Sequence, residues 1–203
     1  QTSLVGSEMC IRDSYKYGPQ NINEALKHLL SADALIGHNI MFYDIPLLAK
    51  LYDIDLKCKV IDTLVCTRLI WPKEKLAEMD YSYMQQVPPR LKGSASLKAW
   101  GYRLADHKID FKDFSHYTEE MLEYCVQDVN VTKKLLLHII KQNYPQPPLA
   151  IEHEFAYYIN KQIRAGIPFD IDGAIDLVDE LRTKQKGLEG ELKQIFPPIK
   201  YSE

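Results

Sequence analysis

The chain has 203 residues and a formal net charge of −3, with 46% hydrophobic and 26% charged residues. This balance is typical of a globular protein that buries its own core and needs no disulfide or structural metal for stability. No apolar run approaches the roughly 18 residues of a membrane helix, and the slightly acidic charge disfavours a basic duplex-binding module.

The first residues do not resemble a natural protein start. Residues 7–14 (SEMCIRDS) look like translated sequencing-adapter sequence, so we interpret 1–14 as an artefact or a disordered terminus. The start lacks the basic and apolar regions of a signal peptide. The chain stops abruptly after 197–203, and we interpret it as a fragment of a longer protein. The four cysteines form no C-x-x-C pair, which fits a reducing compartment, the cytoplasm.

Helical and strand-like patterns alternate from residue 15 onward. Apolar positions between Ile22 and Leu30 follow a 3.6-residue period and predict a helix. The apolar run 34–37 predicts a buried strand. A helix is predicted to start near Asp44, with its proline tolerated in the first turn.

A second strand, another helix and a loop are predicted next. Val60 and Ile61 form a short apolar run typical of a strand. Asp62 is expected to cap a helix over 63–71. Residues 72–93 are polar and aperiodic, so we expect a loop.

Ser94 or Ser96 is expected to cap the next helix, and Thr118 to cap a helical region that continues to Ile140. Prolines then predict a linker at 144–148, followed by a helical segment at 149–203. Together these patterns predict an α/β domain with helices packed around a sheet, a proline-rich hinge and a helical continuation.

Two aspartates stand where a ligand site would be expected. Asp44 follows a strand end at a helix start, the place where α/β folds expose side chains to a crevice. A plain capping role for Asp44 is the alternative. Tyr124 and Asp128 are spaced to share one helix face. Tyr102 and Asp106 have the same spacing, so only the surrounding sequence separates the two pairs.

The sequences around these aspartates resemble one nuclease family, the DEDD-type 3′–5′ exonucleases. Residues 38–44 (HNIMFYD) resemble its second motif, and 124–132 (YCVQDVNVT) resemble its third motif in the tyrosine subclass. Residues 61–64 (IDTL) and 96–104 (SLKAWGYRL) fall between them in the family's order. The latter resembles the proofreading domains of family A DNA polymerases of short-tailed phages, and 164–170 (RAGIPFD) resembles the start of their polymerase part.

The resemblance implies a fold and a division of the chain. The implied fold is the ribonuclease H-like exonuclease fold, a mixed sheet flanked by helices, with its N-terminal strands truncated. Residues 15–143 would form an incomplete 3′–5′ exonuclease domain. Residues 149–203 would begin a helical, thumb-like part of the polymerase. The Tyr102/Asp106 pair would lie in a structural helix and carry no chemistry.

The resemblance also implies a mechanism. Two Mg²⁺ ions about 4 Å apart can activate water and stabilise charge on the leaving oxygen of a phosphodiester. Asp44 and Asp128 would be metal-site carboxylates, with Mn²⁺ able to substitute for Mg²⁺, and Tyr124 would position the attacking water. Asn39 is expected to brace the strand end, and Asp62 to be a structural cap.

One family motif is missing. These exonucleases carry D-x-E on the first strand, upstream of the second motif, and this chain contains no D-x-E. Two carboxylates offset the +4 charge of two dications poorly. We therefore expect the parent protein to be active and this fragment alone to be nearly inactive.

Single-stranded DNA is the expected substrate, held by stacking and by phosphate contacts. Basic and aromatic side chains mix in 72–93, although an ordinary solvated loop is an equal alternative. The DNA-binding candidates are Asn39, Phe42, Tyr43, Lys73, Arg90 and Lys92.

The expected partners are the 3′ end of a primer–template, the rest of the polymerase chain and a processivity factor, with no membrane. Two alternatives stay open: a stand-alone DEDD-type nuclease acting on RNA or DNA, and a catalytically dead module that holds DNA. The sequence after residue 149 favours the polymerase.

Overall fold

The computed structural model describes residues 15–81, 87–106, 111, 113 and 115–196. The chain divides into two compact units, Gln1–Lys161 and Gln162–Glu203. Among the described residues, no helix has both the length and the apolarity that crossing a bilayer requires.

The first half of unit one alternates helices with strands, in the order that the sequence predicts. Its elements are a 3₁₀ turn at Pro19–Asn21, α1 at Ile22–Ser31, β1 at Ala34–Gly37, α2 at Asp44–Tyr52, β2 at Lys59–Asp62 and α3 at Thr63–Ile70. Strands β1 and β2 pair in parallel, with Ala34 opposite Lys59 and Gly37 opposite Asp62. The predicted α/β class is therefore confirmed, with a small parallel sheet in a mostly helical chain.

The remaining elements are helical. They are α4 at Lys73–Tyr81, a 3₁₀ turn at Pro89–Leu91, α5 at Leu97–Arg103, α6 at Glu119–Lys141, α7 at Gln146–Ala165 and α8 at Ile171–Ile195. The predicted caps are present, because Ser96 Oγ accepts from the Ala99 N–H and Thr118 Oγ1 accepts from the Met121 N–H. Each cap satisfies an amide that the first turn of a helix leaves without a partner.

The core of unit one joins α3, α4, α5 and α6. Two tryptophans lie at its centre, with the Trp71 and Trp100 rings 5.0 Å apart, and His138 stacks on Trp71 at 5.2 Å. The buried core cluster contains Cys66, Ile70, Trp71, Leu76, Trp100, Leu135 and Ile139. Through Leu135 and Ile139, this cluster packs α6 against α3 and α5.

The prediction of a loop over 72–93 is wrong for Lys73–Tyr81, because these residues form α4. This helix has a narrow buried face made of Leu76 and Asp80, one turn apart. Asp80 pairs with Arg103, which donates from Nε to Oδ1 at 2.8 Å and from Nη2 to Oδ2 at 2.7 Å. The helix is thus stabilised by a partner distant in sequence, which local periodicity does not reveal.

The expected linker at 144–148 is also wrong in part. Helix α7 begins at Gln146, so Pro147 and Pro148 lie in its first turn. Proline is tolerated there because the first turn needs no intrahelical N–H donors. Unit one extends through Lys161, past the predicted hinge. The assignment of exonuclease and polymerase parts stays a prediction.

Unit two contains the long helix α8. Asp170 caps it by accepting from the Gly173 N–H at 2.9 Å. Gly166 precedes it with φ of +69°, a left-handed conformation that favours glycine after a helix end. Its apolar residues, including Leu181 and Leu188, are exposed.

Candidate functional site

A buried aspartate organises the end of the sheet. Asp62 is fully buried at the end of β2, and its Oδ1 caps α3 by accepting from the Leu64 N–H at 2.9 Å. The same carboxylate accepts from the Asn39 N–H at 2.8 Å and the Met41 N–H at 3.1 Å. The expected capping role is confirmed, and Asp62 also fixes the segment that leads to Asp44.

The backbone conformation of the turn after β1 favours the residues that occupy positions 37 and 39. A Cβ on Gly37 would lie 2.7 Å from the Cβ of Ile40, so a larger residue would displace the turn. Asn39 has φ of +68°, a conformation that asparagine tolerates better than most residues. Thr63 Oγ1 donates to the Gly37 carbonyl and accepts from His38 Nδ1 at 2.9 Å. Asn39 therefore lies at the strand end, as the sequence predicts.

Asp44 is the first residue of α2. Tyr43 occupies the N-cap position and makes no side-chain capping hydrogen bond, so the alternative of Asp44 as the cap is wrong. Partial desolvation raises the pKa of the Asp44 carboxyl. A hydrogen bond from its own backbone lowers this pKa, and the charge of Asp62 raises it. A cation beside Asp44 would relieve the repulsion from Asp62.

Tyr124 and Asp128 lie on one continuous helix, α6, as the motif requires. Residues at i and i+4 share a helix face, so the phenol and the carboxylate point to the same side. Both side chains are partly buried, and the Tyr124 ring lies 5.8 Å from that of Phe111. Helix α6 packs against α3, which Asp62 caps. Helix α3 therefore links the end of β2 to the helix that carries the third motif.

Tyr102 lies in α5, but Asp106 lies beyond the end of that helix at Arg103, so the prediction that both residues of this pair lie in one helix is wrong. Asp106 forms an ion pair with Lys134 at 2.7 Å and accepts a hydrogen bond from Gln127 Nε2. These contacts tie the end of α5 to α6. They agree with the prediction that Asp106 is structural.

A cleft of about 550 Å³ opens beside the turn after β1. We call it the β1 cleft. Its lining combines cations, hydroxyls and apolar groups, among them His38, Asn39, Arg68, Trp71, Lys73, Ser94 and Ser96. Two exposed cations at the rim of a partly apolar cleft suit a phosphate backbone with an adjoining base.

The two aromatic residues before Asp44 point in different directions. Phe42 lines a second cleft of about 310 Å³, together with α3 and α7. Tyr43 is 64% exposed and is available to a ligand.

The other predicted DNA-binding cations differ in position. Lys73 lines the β1 cleft. Arg90 is exposed in the 3₁₀ turn, and Lys92 Nζ lies 3.9 Å over the Tyr81 ring in a cation–π contact. Neither Arg90 nor Lys92 is among the residues that line the β1 cleft.

The metal-binding capacity of the described part is limited. Over residues 15–196, apart from those outside the description, no group of three or more His, Cys, Asp or Glu side chains could hold a metal ion. Asp44 and Asp128 supply the hard oxygen ligands that Mg²⁺ prefers.

Sequence reasoning missed three residues. Arg68 lines both clefts. It lies on α3 one turn after Leu64, which also lines the β1 cleft, and this spacing could have identified it from the sequence. His153 Nε2 accepts from the Asp62 N–H, and Asn160 donates to the Met41 carbonyl. Their partners are 91 and 119 residues away, so local sequence held no signal for them.

Comparison with known proteins points to one family. A family model described as 3′–5′ exonuclease matches residues 3–143. The DNA-directed DNA polymerases of Escherichia phage T7 and Enterobacteria phage T3 are each 31% identical over 206 aligned positions, which cover 80% of this chain. The chain spans about 29% of the length of these relatives.

Proposed function

Because the chain belongs to the 3′–5′ exonuclease family of family A DNA polymerases, we propose that it is the proofreading part of a DNA-directed DNA polymerase. It removes the 3′-terminal nucleotide of single-stranded DNA by hydrolysis of the last phosphodiester bond. The observation that carries this proposal is the set of contacts made by Asp62, which lies between the second and third motifs in the sequence. Asp62 fixes the segment before Asp44 and caps α3, on which the helix of Tyr124 and Asp128 packs.

The complete domain has the ribonuclease H-like exonuclease fold. The parallel pair of β1 and β2, with helices packed beside it, supports this assignment. The proposed first strands, which carry D-x-E, would add to this pair. The division into an exonuclease part at 15–143 and a polymerase part from 149 belongs to the same proposal.

Asp44 and Asp128 are the metal-site carboxylates of this proposal. Bound Mg²⁺, or Mn²⁺ in its place, would lower the pKa of water and stabilise charge on the leaving oxygen. The repulsion between Asp44 and Asp62 supports a cation at this position. Asp44 must be ionised to act as a metal ligand.

Tyr124 positions the attacking water. Its phenol shares a face of α6 with Asp128, so its hydroxyl is directed to the side of the helix that carries the carboxylate. A phenolic hydroxyl both donates and accepts hydrogen bonds, which suits the orientation of a water molecule.

The single strand enters through the β1 cleft. Arg68 and Lys73 neutralise backbone phosphates, Asn39 contacts the strand at the sheet end, and exposed Tyr43 stacks on a base. Arg90 and Lys92 act further along the strand, outside the cleft lining.

The chain alone supplies two of the four carboxylates, because it contains no D-x-E. We therefore expect weak activity from these 203 residues and full activity from a polypeptide that carries the missing motif. The rest of the polymerase and a processivity factor are the proposed partners, in the host cytoplasm.

A matched pair of variants tests this function. Tyr124→Phe and Tyr102→Phe each remove the hydroxyl of a tyrosine that lies four residues before an aspartate. Both variants are made in a polypeptide extended to the length of the relatives. Release of nucleotides from 3′-labelled single-stranded DNA should fall about 10²-fold for Tyr124→Phe and stay near wild type for Tyr102→Phe.

The substrate separates the alternatives. Equal or faster hydrolysis of RNA would indicate a stand-alone nuclease of the same family. Tight DNA binding without any Mg²⁺-dependent hydrolysis would indicate a DNA-holding module. Equal effects of the two tyrosine variants would remove Tyr124 from the mechanism.

A further inference from the structure

Helix α7 begins after the last residue that the exonuclease family model matches. Even so, its residues up to Lys161 belong to the same compact unit as the candidate site. One face of this helix contacts β2 and the segment 38–44. The contact is made by side chains of α7 on backbone groups of the site.

The first contact is made by His153. Its Nδ1 lies 2.7 Å from the Leu149 carbonyl, which can only accept, so Nδ1 carries the proton. Nε2 is therefore an acceptor, and it receives the Asp62 backbone N–H at 2.9 Å. His153 thus holds the main chain of the residue whose carboxylate holds the turn after β1.

The second contact is made by Asn160, two helical turns further along α7. Its Nδ2 donates to the Met41 carbonyl at 2.6 Å. The Met41 N–H donates to Asp62 at 3.1 Å. Both backbone groups of Met41 are therefore bound, one by β2 and one by α7.

These contacts form a closed ring. His153 binds the backbone of Asp62, the Asp62 carboxylate binds the Asn39 and Met41 amides, and Asn160 binds the carbonyl of Met41. Ala156 is buried between the two contacts on α7. The ring constrains the turn from two directions, so its end at Asp44 has little freedom.

We infer that His153 and Asn160 are positioning residues, which hold Asp44 in place from a helix beyond the exonuclease motifs. This inference rests on the proposed function for its effect on catalysis. Because a misplacement of about 1 Å can reduce a rate roughly 10²-fold, partial release of the turn should reduce kcat. DNA binding should change little, because neither residue lines the β1 cleft.

Four variants test the inference. His153→Leu removes the acceptor, and His153→Gln restores one through its side-chain oxygen. Asn160→Leu removes the second contact. Glu154→Leu makes the same change at the exposed neighbouring position on α7 and serves as the control.

Two readouts separate the inference from the proposed function. Hydrogen exchange of the Asn39, Met41 and Asp62 amides, measured in the chain itself, reports the ring without any metal or substrate. The values of kcat and KM for 3′ release from single-stranded DNA, measured in the polypeptide extended to the length of the relatives, report catalysis. Thermal unfolding identifies any variant that does not fold.

We expect His153→Leu and Asn160→Leu to speed exchange of these amides about tenfold. We expect the same variants to lower kcat about tenfold with KM within about twofold of wild type. His153→Gln should recover most of both, and Glu154→Leu should match wild type. Because two separate positions are tested, failure of one variant to fold leaves the other decisive.

Unchanged exchange in folded His153→Leu and Asn160→Leu chains would overturn the inference. A higher KM with unchanged kcat would also overturn the inference, since that result would show that α7 contributes to DNA binding and not to the position of Asp44. A wild-type protein that lacks hydrolysis would refute the proposed function, and exchange would still decide whether α7 holds the turn.

Discussion

The carboxylate of Asp62 binds the backbone N–H of Asn39 at 2.8 Å, across 23 residues of chain. This contact joins the ends of the two paired strands and sets the start of the segment that carries Asp44. The fully buried aspartate also binds the amides of Met41 and Leu64. One side chain therefore connects β2, the turn after β1 and the first turn of α3.

Asp62→Ala should destabilise the protein by about 2–4 kcal/mol. Loss of a helix cap costs about 1 kcal/mol, and a buried amide left without a partner costs about 1–3 kcal/mol. Urea unfolding of the chain checks this value. Asp55→Ala, at a side chain that is 81% exposed, should change stability by less than about 0.5 kcal/mol. Equal effects of the two variants would show that Asp62 is not a structural centre.

The ion pair between Asp80 and Arg103 gives a second stability prediction. Both side chains are almost fully buried, and Asp80 also accepts from the Gly93 N–H. Asp80→Ala should cost about 3–5 kcal/mol, since it leaves a buried guanidinium without its counter-charge. The measurement is denaturant unfolding.

A surface pair is the control for this prediction. Glu180→Ala in the exposed pair with Lys184 should cost at most about 0.5 kcal/mol. A double replacement of Asp80 and Arg103 by apolar residues of similar size should recover much of the loss. A small loss in Asp80→Ala would mean that α4 does not depend on the pair.

Acidification should weaken the core at His138. Burial lowers the pKa of His138, and the nearby Lys141 lowers it further. The unfolded chain therefore binds more protons once the pH falls through the unfolded value of about 6.5. Neutral His138 therefore contributes to the free energy of unfolding above that pH. This contribution is lost as the pH falls from there toward the lower pKa of the folded state.

Unfolding of wild type and His138→Phe at pH 7.5 and 5.5 checks the sign. The phenyl ring retains the stacking on Trp71 and does not titrate. Wild type should lose more stability than the variant on acidification. An identical loss in both proteins would contradict the direction of the pKa change.

Arg68 should contribute to binding of the single strand. Arg68→Ala should raise KM for single-stranded DNA about 3–10-fold and reduce the salt dependence of binding by about 0.7 in the log–log slope, as expected for one lost phosphate contact. Lys57→Ala removes a cation that is 85% exposed and outside the β1 cleft, and it should leave both quantities unchanged. A fall in kcat without a change in the salt slope would assign Arg68 to another role.

Local features were readable from the sequence. Short-range patterns predict the strands β1 and β2 and the continuous helix that carries Tyr124 and Asp128. They also predict the caps Asp62, Ser96 and Thr118. A cap binds an amide two or three residues away, so its partner is near in sequence.

Features that depend on distant partners were not readable. Helix α4 has few apolar positions and requires Arg103, and the start of α7 has prolines that also suit a linker. The contacts of His153 and Asn160 depend on tertiary packing alone. Sequence therefore predicts the candidate carboxylates, and the structure adds contacts that hold Asp62 and the segment before Asp44.

The exchange of Asp128 for Asn tests the central claim most directly. Asp106→Asn is the matched control, because Asp106 follows a tyrosine at the same spacing and its side chain binds Lys134 and Gln127. Both variants are assayed for Mg²⁺-dependent release of nucleotides from the 3′ end of single-stranded DNA, in the polypeptide extended to the length of the relatives. Asp128→Asn should reduce the rate about 10²-fold or more, with Asp106→Asn within about threefold of wild type. Undiminished hydrolysis by Asp128→Asn would contradict the assignment of this site.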